Sequence, residues 1–207
     1  MASDDQPTPR WEWRAFGASF SEIDAIVQKA SPDARVSIET YLLSRRSDAN
    51  VKIRHGLIDV KVCERVDGGL ERWRPVFKRA FPLSSEAVTA LFGYWNLPTP
   101  SRLRSQYGVL DLLGDLVTSH ADLRSIVVTK RRRGTVIDEC LVESAALSVA
   151  GRALHTIAVE AEDPERVRRV VRALGCTPSA NTNYVHALKA TVGMPGSASR
   201  AVEGALS

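Results

Sequence analysis

Charged and apolar residues alternate at the spacing of a β-strand in three stretches of the sequence. The charged residues that stand two apart in these stretches are Lys52 and Arg54, Lys130 and Arg132, and Glu160 and Glu162. Because side chains two apart in a strand point to the same face, each pair would share one face of a sheet. Basic rows that face carboxylates suit a polyphosphate with its divalent metal ion. The alternative is the solvated outer face of an ordinary antiparallel sheet.

Other kinds of catalytic site find little support in the sequence. It contains no glycine-rich phosphate loop, no H-E-x-x-H motif and no Ser-His-Asp order typical of a nucleophilic triad. The three cysteines are widely spaced and the four histidines are isolated, which indicates reduced thiols and argues against a zinc site. Covalent catalysis and P-loop chemistry are therefore disfavoured.

The overall composition is typical of one globular domain. The 207 residues are 44% hydrophobic and 25% charged, and a net charge of +4 gives a mild preference for anionic partners. An aromatic share of only 6% argues against nucleic acid as the partner. No apolar run is long enough to span a membrane and no signal peptide is recognisable, so we expect a cytoplasmic protein without membrane contact. We expect disordered tails at residues 1–9 and 193–207 and a single domain at 10–192, whose oligomeric state the sequence does not predict.

Many strands and few helices predict an α+β fold with a mostly antiparallel sheet. The predicted strands are residues 11–16, 36–44, 51–54, 58–65, 70–76, 126–133, 135–145 and 154–162. The predicted helices are residues 21–29, 84–95, 107–120 and 164–174. Charged alternation in both halves of the chain favours closure of the sheet into a barrel.

Several of these strands, in order, resemble the motifs of the CYTH proteins, which are the triphosphate tunnel metalloenzymes. The segment Arg10-Trp11-Glu12-Trp13-Arg14 is similar to their E-x-E-x-K strand. The other similar segments are 39–42, the basic strands 51–54 and 128–132, the acidic strands 140–143 and 157–163, and the closing segment 181–184. The resemblance extends from about residue 10 to residue 189.

The resemblance implies an eight-stranded antiparallel tunnel with helices packed outside it. It implies that basic residues bind a triphosphate, a polyphosphate or an organic triphosphate, which the protein would hydrolyse with Mg²⁺ or Mn²⁺. The substrate-binding residues would be Arg14, Lys52, Arg54, Lys130 and Arg132. The metal ligands would be Glu12, Glu143 and Glu160. Further charges in the tunnel could come from Lys61, Arg72, Arg74 and Lys78.

The sequence departs from the CYTH pattern at two positions that matter for the metal. Arg10 replaces the first glutamate of the first strand, and Ala158 replaces one glutamate of the later acidic strand. Either the charge of Arg10 abolishes the metal site, or Arg10 takes over phosphate binding and the metal arrives only with the substrate. A carboxylate such as Glu139 or Glu162 could also replace a lost glutamate. Two functions therefore stay open: a metal-dependent triphosphatase or polyphosphatase, and a module with an eroded metal site that binds polyphosphate or nucleotide without turnover. No catalytic residue is assigned.

Overall fold

The computed structural model of the chain describes residues 8–194. Most of the two predicted disordered tails lies outside the described residues. Between residues 8 and 194, none of the helices has the length and apolarity needed to cross a membrane.

The described residues form ten strands and five α-helices. The strands are β1 (Arg10–Gly17), β2 (Arg35–Ser44), β3 (Asn50–Arg54), β4 (Leu57–Asp67), β5 (Leu70–Ala80), β6 (Leu83–Ser84), β7 (Gln106–Tyr107), β8 (Leu123–Ile137), β9 (Cys140–Val149) and β10 (Arg152–Ala161). The helices are α1 (Ser21–Ala30), α2 (Ser85–Tyr94), α3 (Val109–Asp111, which continues as a π-helical segment over Leu112–Val117), α4 (Pro164–Ala173) and α5 (Tyr184–Thr191).

Eight of the strands close into a barrel, and each of its strand pairs is antiparallel. The order around the barrel is β1-β10-β9-β8-β2-β3-β4-β5, and β5 pairs with β1 to complete it. Strands β6 and β7 form a separate two-stranded sheet. The predicted α+β class and the eight-stranded antiparallel barrel are confirmed.

The alternation in the strands gives the barrel wall two different faces. The outward residues of β1, including Trp11 and Trp13, pack with Ile23 and Val27 of α1 and Val167 of α4 in one hydrophobic cluster. A second cluster joins the outer face of β3 and β4 to α2 and the π-helical segment. Residues of opposite parity point inward, where the polar groups lie. These outer helices agree with the prediction of helices packed outside.

Helix α5 is an addition that the sequence pattern did not predict. Its residues Tyr184, Val185 and Leu188 pack against residues such as Tyr41 and Leu147. Those two residues lie on the inward faces of β2 and β9. Tyr41 stands two residues from the inward Glu39, and Leu147 stands four residues from the inward Glu143, so each shares a face with that glutamate. Helix α5 therefore closes one end of the barrel from within. Its first turn is capped by Asn183, whose side chain accepts a hydrogen bond from the backbone N–H of His186.

Candidate functional site

The strand registers bring the inward charges of distant segments together. Glu12 of β1 lies opposite Glu160 of β10, and Arg14 lies opposite Ala158. Ala158 in turn lies opposite Glu143 of β9. The inward charges that carry ion pairs are Arg10, Glu12, Arg14, Glu39, Lys52, Arg54, Lys130, Arg132, Glu143 and Glu160. Six of them are basic and four are acidic, so this group has a net positive charge.

Glu39 is the centre of one half of this network. Its carboxylate is fully buried and lies 2.9 Å from Lys130 Nζ, 3.4 Å from Arg54 Nη1 and 3.6 Å from Lys52 Nζ. The Tyr41 hydroxyl also donates to it at 3.2 Å. Burial alone would raise the pKa of Glu39, but the positive charges of Lys52 and Lys130 outweigh it and lower the pKa to about 2. Glu39 is therefore a permanent anion that holds three cations in place.

Lys130 is the most buried of the six basic residues in this network. Its ammonium donates to the Tyr41 hydroxyl at 2.6 Å and lies 3.8 Å from the centre of the Tyr184 ring, a cation–π contact. Burial and the nearby charge of Lys52 lower the pKa of Lys130 to about 7. Near pH 7 the Lys130 ammonium is therefore only partly protonated. A bound anion beside it would favour the protonated form.

The other half of the network pairs arginines with carboxylates. Arg14 Nε lies 2.9 Å from Glu12 Oε1, and Arg14 Nη1 lies 3.6 Å from Glu143 Oε1. Burial would raise the pKa of Glu12, but the charge and hydrogen bond of Arg14 lower it. The two remaining pairs join Arg132 to Glu143 at 3.5 Å and Arg10 to Glu160 at 3.4 Å.

The three carboxylates predicted to bind a metal do not fit a metal site in this arrangement. Glu12, Glu143 and Glu160 each form an ion pair with an arginine. Across residues 8–194, no three acidic, histidine or cysteine side chains are grouped as metal ligands. Four of their six oxygens lie against guanidinium groups, namely Glu12 Oε1, both oxygens of Glu143 and Glu160 Oε1. Mg²⁺ needs free oxygens in near-octahedral geometry. Metal binding by these residues stays a prediction that their geometry does not favour.

The five predicted substrate-binding residues all lie inside the barrel. Lys52, Arg54 and Lys130 meet at Glu39, and Arg14 and Arg132 meet at Glu143. The register of β4 also turns Lys61 inward, because it lies opposite Asn50, and Lys78 lies opposite the inward Asp59.

Arg72 and Arg74 are not part of this interior. Arg72 lies opposite Trp11, which belongs to the outer core, and both arginines pair with Glu64. The expectation of tunnel charges at these two positions is therefore wrong. The β4–β5 pairing contains two register shifts, so alternation along the sequence alone does not predict which face these arginines occupy.

Glu39 and Tyr184 are the site residues that the sequence analysis did not single out. A signal for Glu39 existed, since it is the one carboxylate of β2 and stands two residues from Ser37 and from Tyr41, so that the three side chains share a face. Tyr184 offered no such signal, because its role depends on the placement of α5. The Tyr184 ring stacks on Tyr41 with 5.6 Å between centroids, and Arg14 lies 4.5 Å above it.

Comparison with known proteins supports the fold. No known family matches the chain by sequence profile, and no curated protein matches it by sequence. Among solved structures, HpAC1 from Hippeastrum, a provisionally assigned adenylyl cyclase with a dominant triphosphatase activity, matches with a TM-score of 0.50. The identity is 9%, over 88% of this chain and 96% of HpAC1. This chain has the CYTH-like tunnel fold.

Two further solved structures match the chain with lower TM-scores. A provisionally assigned adenylate cyclase from Bacillus halodurans has a TM-score of 0.48 and 15% identity, over 85% of this chain and 95% of its own. The PH1012 protein from Pyrococcus horikoshii has a TM-score of 0.47 and 16% identity, over 84% of this chain and 98% of its own. At 9% identity, the likeness to HpAC1 shows the fold and not the activity.

Proposed function

We propose that this protein binds linear triphosphate or a longer polyphosphate, free or attached to an organic group, inside its tunnel. The observation that carries the proposal is the convergence of Lys52, Arg54 and Lys130 on the single buried carboxylate of Glu39. Three basic groups that share one anion keep unused positive charge, and a polyphosphate chain supplies the oxygens that such charge binds best.

A polar atom at the closed end of the tunnel supports the same proposal. The hydroxyl of Tyr184 is buried and has no hydrogen-bond partner within residues 8–194. An unpaired buried hydroxyl is unfavourable, and a ligand oxygen would satisfy it. We therefore add Tyr184 to the predicted ligand-binding residues, beside Lys130. The terminal phosphate of the chain would lie here, and the remaining phosphates would extend past Lys52 and Arg54 towards Arg132.

The shape of the tunnel favours a ligand that is a chain with a free end. Exposure of the side chains rises from 0% at Glu39 and 4% at Lys130 to 42% at Arg10. The open mouth is therefore at Arg10, opposite the end that α5 closes. A ligand enters by its terminal phosphate, while any organic group stays at the mouth.

Hydrolysis of the ligand is a second candidate function. It is favoured by the fold shared with HpAC1, which is described as a triphosphatase. Catalysis in such a site would consist of holding the chain straight and neutralising its charge while water attacks phosphorus. The chain's own cations can supply this neutralisation. Because the predicted metal ligands are engaged by arginines, no step is assigned to a metal.

Ligand binding is tested by thermal shift and calorimetry. Tripolyphosphate should raise the melting temperature more than pyrophosphate, and pyrophosphate more than sulfate, because binding stabilises the folded state by mass action. The control variant is Arg72→Ala, which removes a cation from the outer wall. Equal shifts for sulfate and tripolyphosphate would contradict the proposal. Oligonucleotide binding that is sensitive to salt but not competed by tripolyphosphate would identify nucleic acid as the partner instead.

Turnover is measured separately as phosphate release from tripolyphosphate, with EDTA, Mg²⁺ or Mn²⁺. Release that collapses in Lys52→Ala but persists in Arg72→Ala would assign hydrolysis to the tunnel. Tight binding without release above background would identify a binding module.

A further inference from the structure

We propose that Arg10 and Arg14 replace the divalent metal of this tunnel, so that the protein binds its polyphosphate as a metal-free anion. The inference rests on the proposed function, since it concerns how the same ligand is neutralised. It makes Arg10 a determinant of specificity between a free polyphosphate and its magnesium complex.

The first observation is the pairing of the carboxylates. The glutamates at the β1–β10–β9 junction are Glu12, Glu143 and Glu160, and each one contacts a guanidinium group. Arg14 bridges Glu12 and Glu143, and Arg10 contacts Glu160. With Arg132 also on Glu143, three positive charges oppose three negative ones at this junction. Glu71 of β5 lies opposite Glu12 and adds a fourth carboxylate, but Trp73 and Asn183 donate hydrogen bonds to its two oxygens. A divalent cation would therefore meet guanidinium groups within a few ångströms and carboxylates that already have partners.

The second observation is the space beside Ala158. The methyl group of Ala158 offers no ligand, and this residue is only 3% exposed. It lies between Arg14 on one neighbouring strand and Glu143 on the other. The Arg14 guanidinium reaches across this position to Glu143 and also hydrogen-bonds the hydroxyl of Thr156 at 3.3 Å. The arginine thus occupies the room that a ligand to a metal would need.

The third observation is the freedom of Arg10. It lines a cavity of about 420 Å³ at the tunnel mouth, together with Glu160 and Arg166. Its ion pair with Glu160 is 3.4 Å long and its side chain is 42% exposed. Exposed pairs of this kind are weakly held. The contact with Glu160 uses Nη1 of Arg10, so the other N–H groups of the guanidinium can bind phosphate oxygens while the pair with Glu160 persists.

These observations predict that magnesium competes with the protein for the ligand. A magnesium ion that coordinates the phosphate oxygens removes the negative charge and the acceptors that the arginines use. The protein should therefore bind free tripolyphosphate more tightly than magnesium tripolyphosphate.

Isothermal calorimetry with tripolyphosphate tests the inference, in EDTA and in excess Mg²⁺. We expect binding in EDTA and an affinity at least several-fold lower in Mg²⁺. Arg10→Gln should weaken binding in EDTA by about tenfold, which is the scale of one charge-assisted contact. The double variant Arg10→Glu with Ala158→Glu should bind in Mg²⁺ better than in EDTA. Arg72→Glu reverses a charge on the outer wall, which is a larger charge change than that of Arg10→Gln, and should behave as the wild type.

The possible results separate the inference from the proposed function. Absence of binding in both buffers would overturn the proposed function. Binding only with Mg²⁺ would overturn the inference and leave the function standing, as would an Arg10→Gln variant that binds like Arg72→Glu. A circular dichroism melt shows whether the double variant folds. If it does not fold, the comparison of Arg10→Gln with the wild type still tests the inference.

Discussion

Three basic side chains converge on the carboxylate of Glu39, and this one residue links the stability of the protein to its binding capacity. The ion pairs hold the pKa of Glu39 near 2, below its ordinary value of 4.5. A folded-state pKa below the unfolded one stabilises the protein above about pH 4.5, and this contribution is lost as the pH falls towards 2. Glu39 thus holds the basic residues in place at neutral pH.

Removal of the Glu39 charge should weaken the fold and strengthen the binding of anions. Glu39→Gln leaves Lys52, Arg54 and Lys130 without their shared anion, which should lower the free energy of unfolding by about 3–5 kcal/mol. Tripolyphosphate should restore more stability in this variant than in the wild type. Denaturant melts between pH 2 and 7, with and without ligand, measure both effects. A variant whose stability falls with acid as steeply as that of the wild type would contradict the assignment.

The weakly held charge of Lys130 predicts a pH dependence of binding. The pKa of Lys130 is about 7, and a bound polyphosphate favours the protonated form of the lysine. Above pH 7, the affinity should therefore fall by up to about tenfold per pH unit, until the lysine is deprotonated in the complex as well. In Lys130→Arg the guanidinium stays charged, so the fall should be smaller. Parallel pH profiles for the two proteins would show that Lys130 does not contact the ligand.

At the scale of elements, β1 shows how one strand serves two purposes. Trp11 and Trp13 are anchored under α1 and α4, while Glu12 and Arg14 point into the tunnel. Because the side-chain period of a strand is two, the packing of the tryptophans fixes the direction of the charges. Arg10 stands two residues before Glu12 and therefore also points to the tunnel side, at the mouth. An arginine at the position where the CYTH pattern has a glutamate therefore changes the tunnel and not the core.

Helix α5 closes the tunnel and supplies Tyr184, and a conservative substitution separates these roles. Tyr184→Phe keeps the stacking on Tyr41 and the contact with Lys130, and removes only the unpaired hydroxyl. The melting temperature of the ligand-free protein should not fall. The affinity for tripolyphosphate should fall by about threefold to tenfold, which corresponds to ~0.5–1.5 kcal/mol for one hydrogen bond.

A matched aromatic substitution controls for packing. Tyr94→Phe also removes a hydroxyl, but this hydroxyl donates to Val76 O, away from the tunnel. It should leave the affinity unchanged. If Tyr184→Phe binds tripolyphosphate as tightly as Tyr94→Phe, the hydroxyl of Tyr184 does not contact the ligand.

At the scale of the whole molecule, the tunnel is closed at one end and open at the other. Closure by α5 at the end near Tyr41, together with the exposed Arg10 at the other end, predicts selection for ligands with a free chain end. Cyclic tetrametaphosphate has a charge similar to that of linear tripolyphosphate but no terminal phosphate. We expect it to bind at least tenfold more weakly in competition calorimetry. Equal affinities would indicate that the ligand binds on an open basic surface and not in the tunnel.

Local patterns predicted the strands well because each strand carries its own alternation. The helix that begins at Asp163 was also predictable, since Asp at the cap and Pro at the first position act locally, and the Asp163 side chain accepts from the N–H of Glu165. The hairpin between β8 and β9 was misplaced. It turns at Asp138 and Glu139, both with positive φ, whereas the expected break lay before residue 135.

The resemblance to the CYTH proteins implied the eight-stranded barrel, and the local patterns of the sequence by itself determined the α+β class, the antiparallel strands and the basic residues on them. These depend on the period of two and on turn residues, which act within a few positions of the chain. Only the tertiary structure decided which charges meet: Glu39 with Lys130 across the β2–β8 pairing, Arg14 with Glu143, and α5 in the end of the barrel. The partners of these two ion pairs lie more than 90 residues apart, and their meeting depends on register and barrel closure, for which local spacing carries no signal. For the same reason, the sequence could show that Arg10 and Ala158 depart from an acidic pattern, but not that arginines occupy the carboxylates.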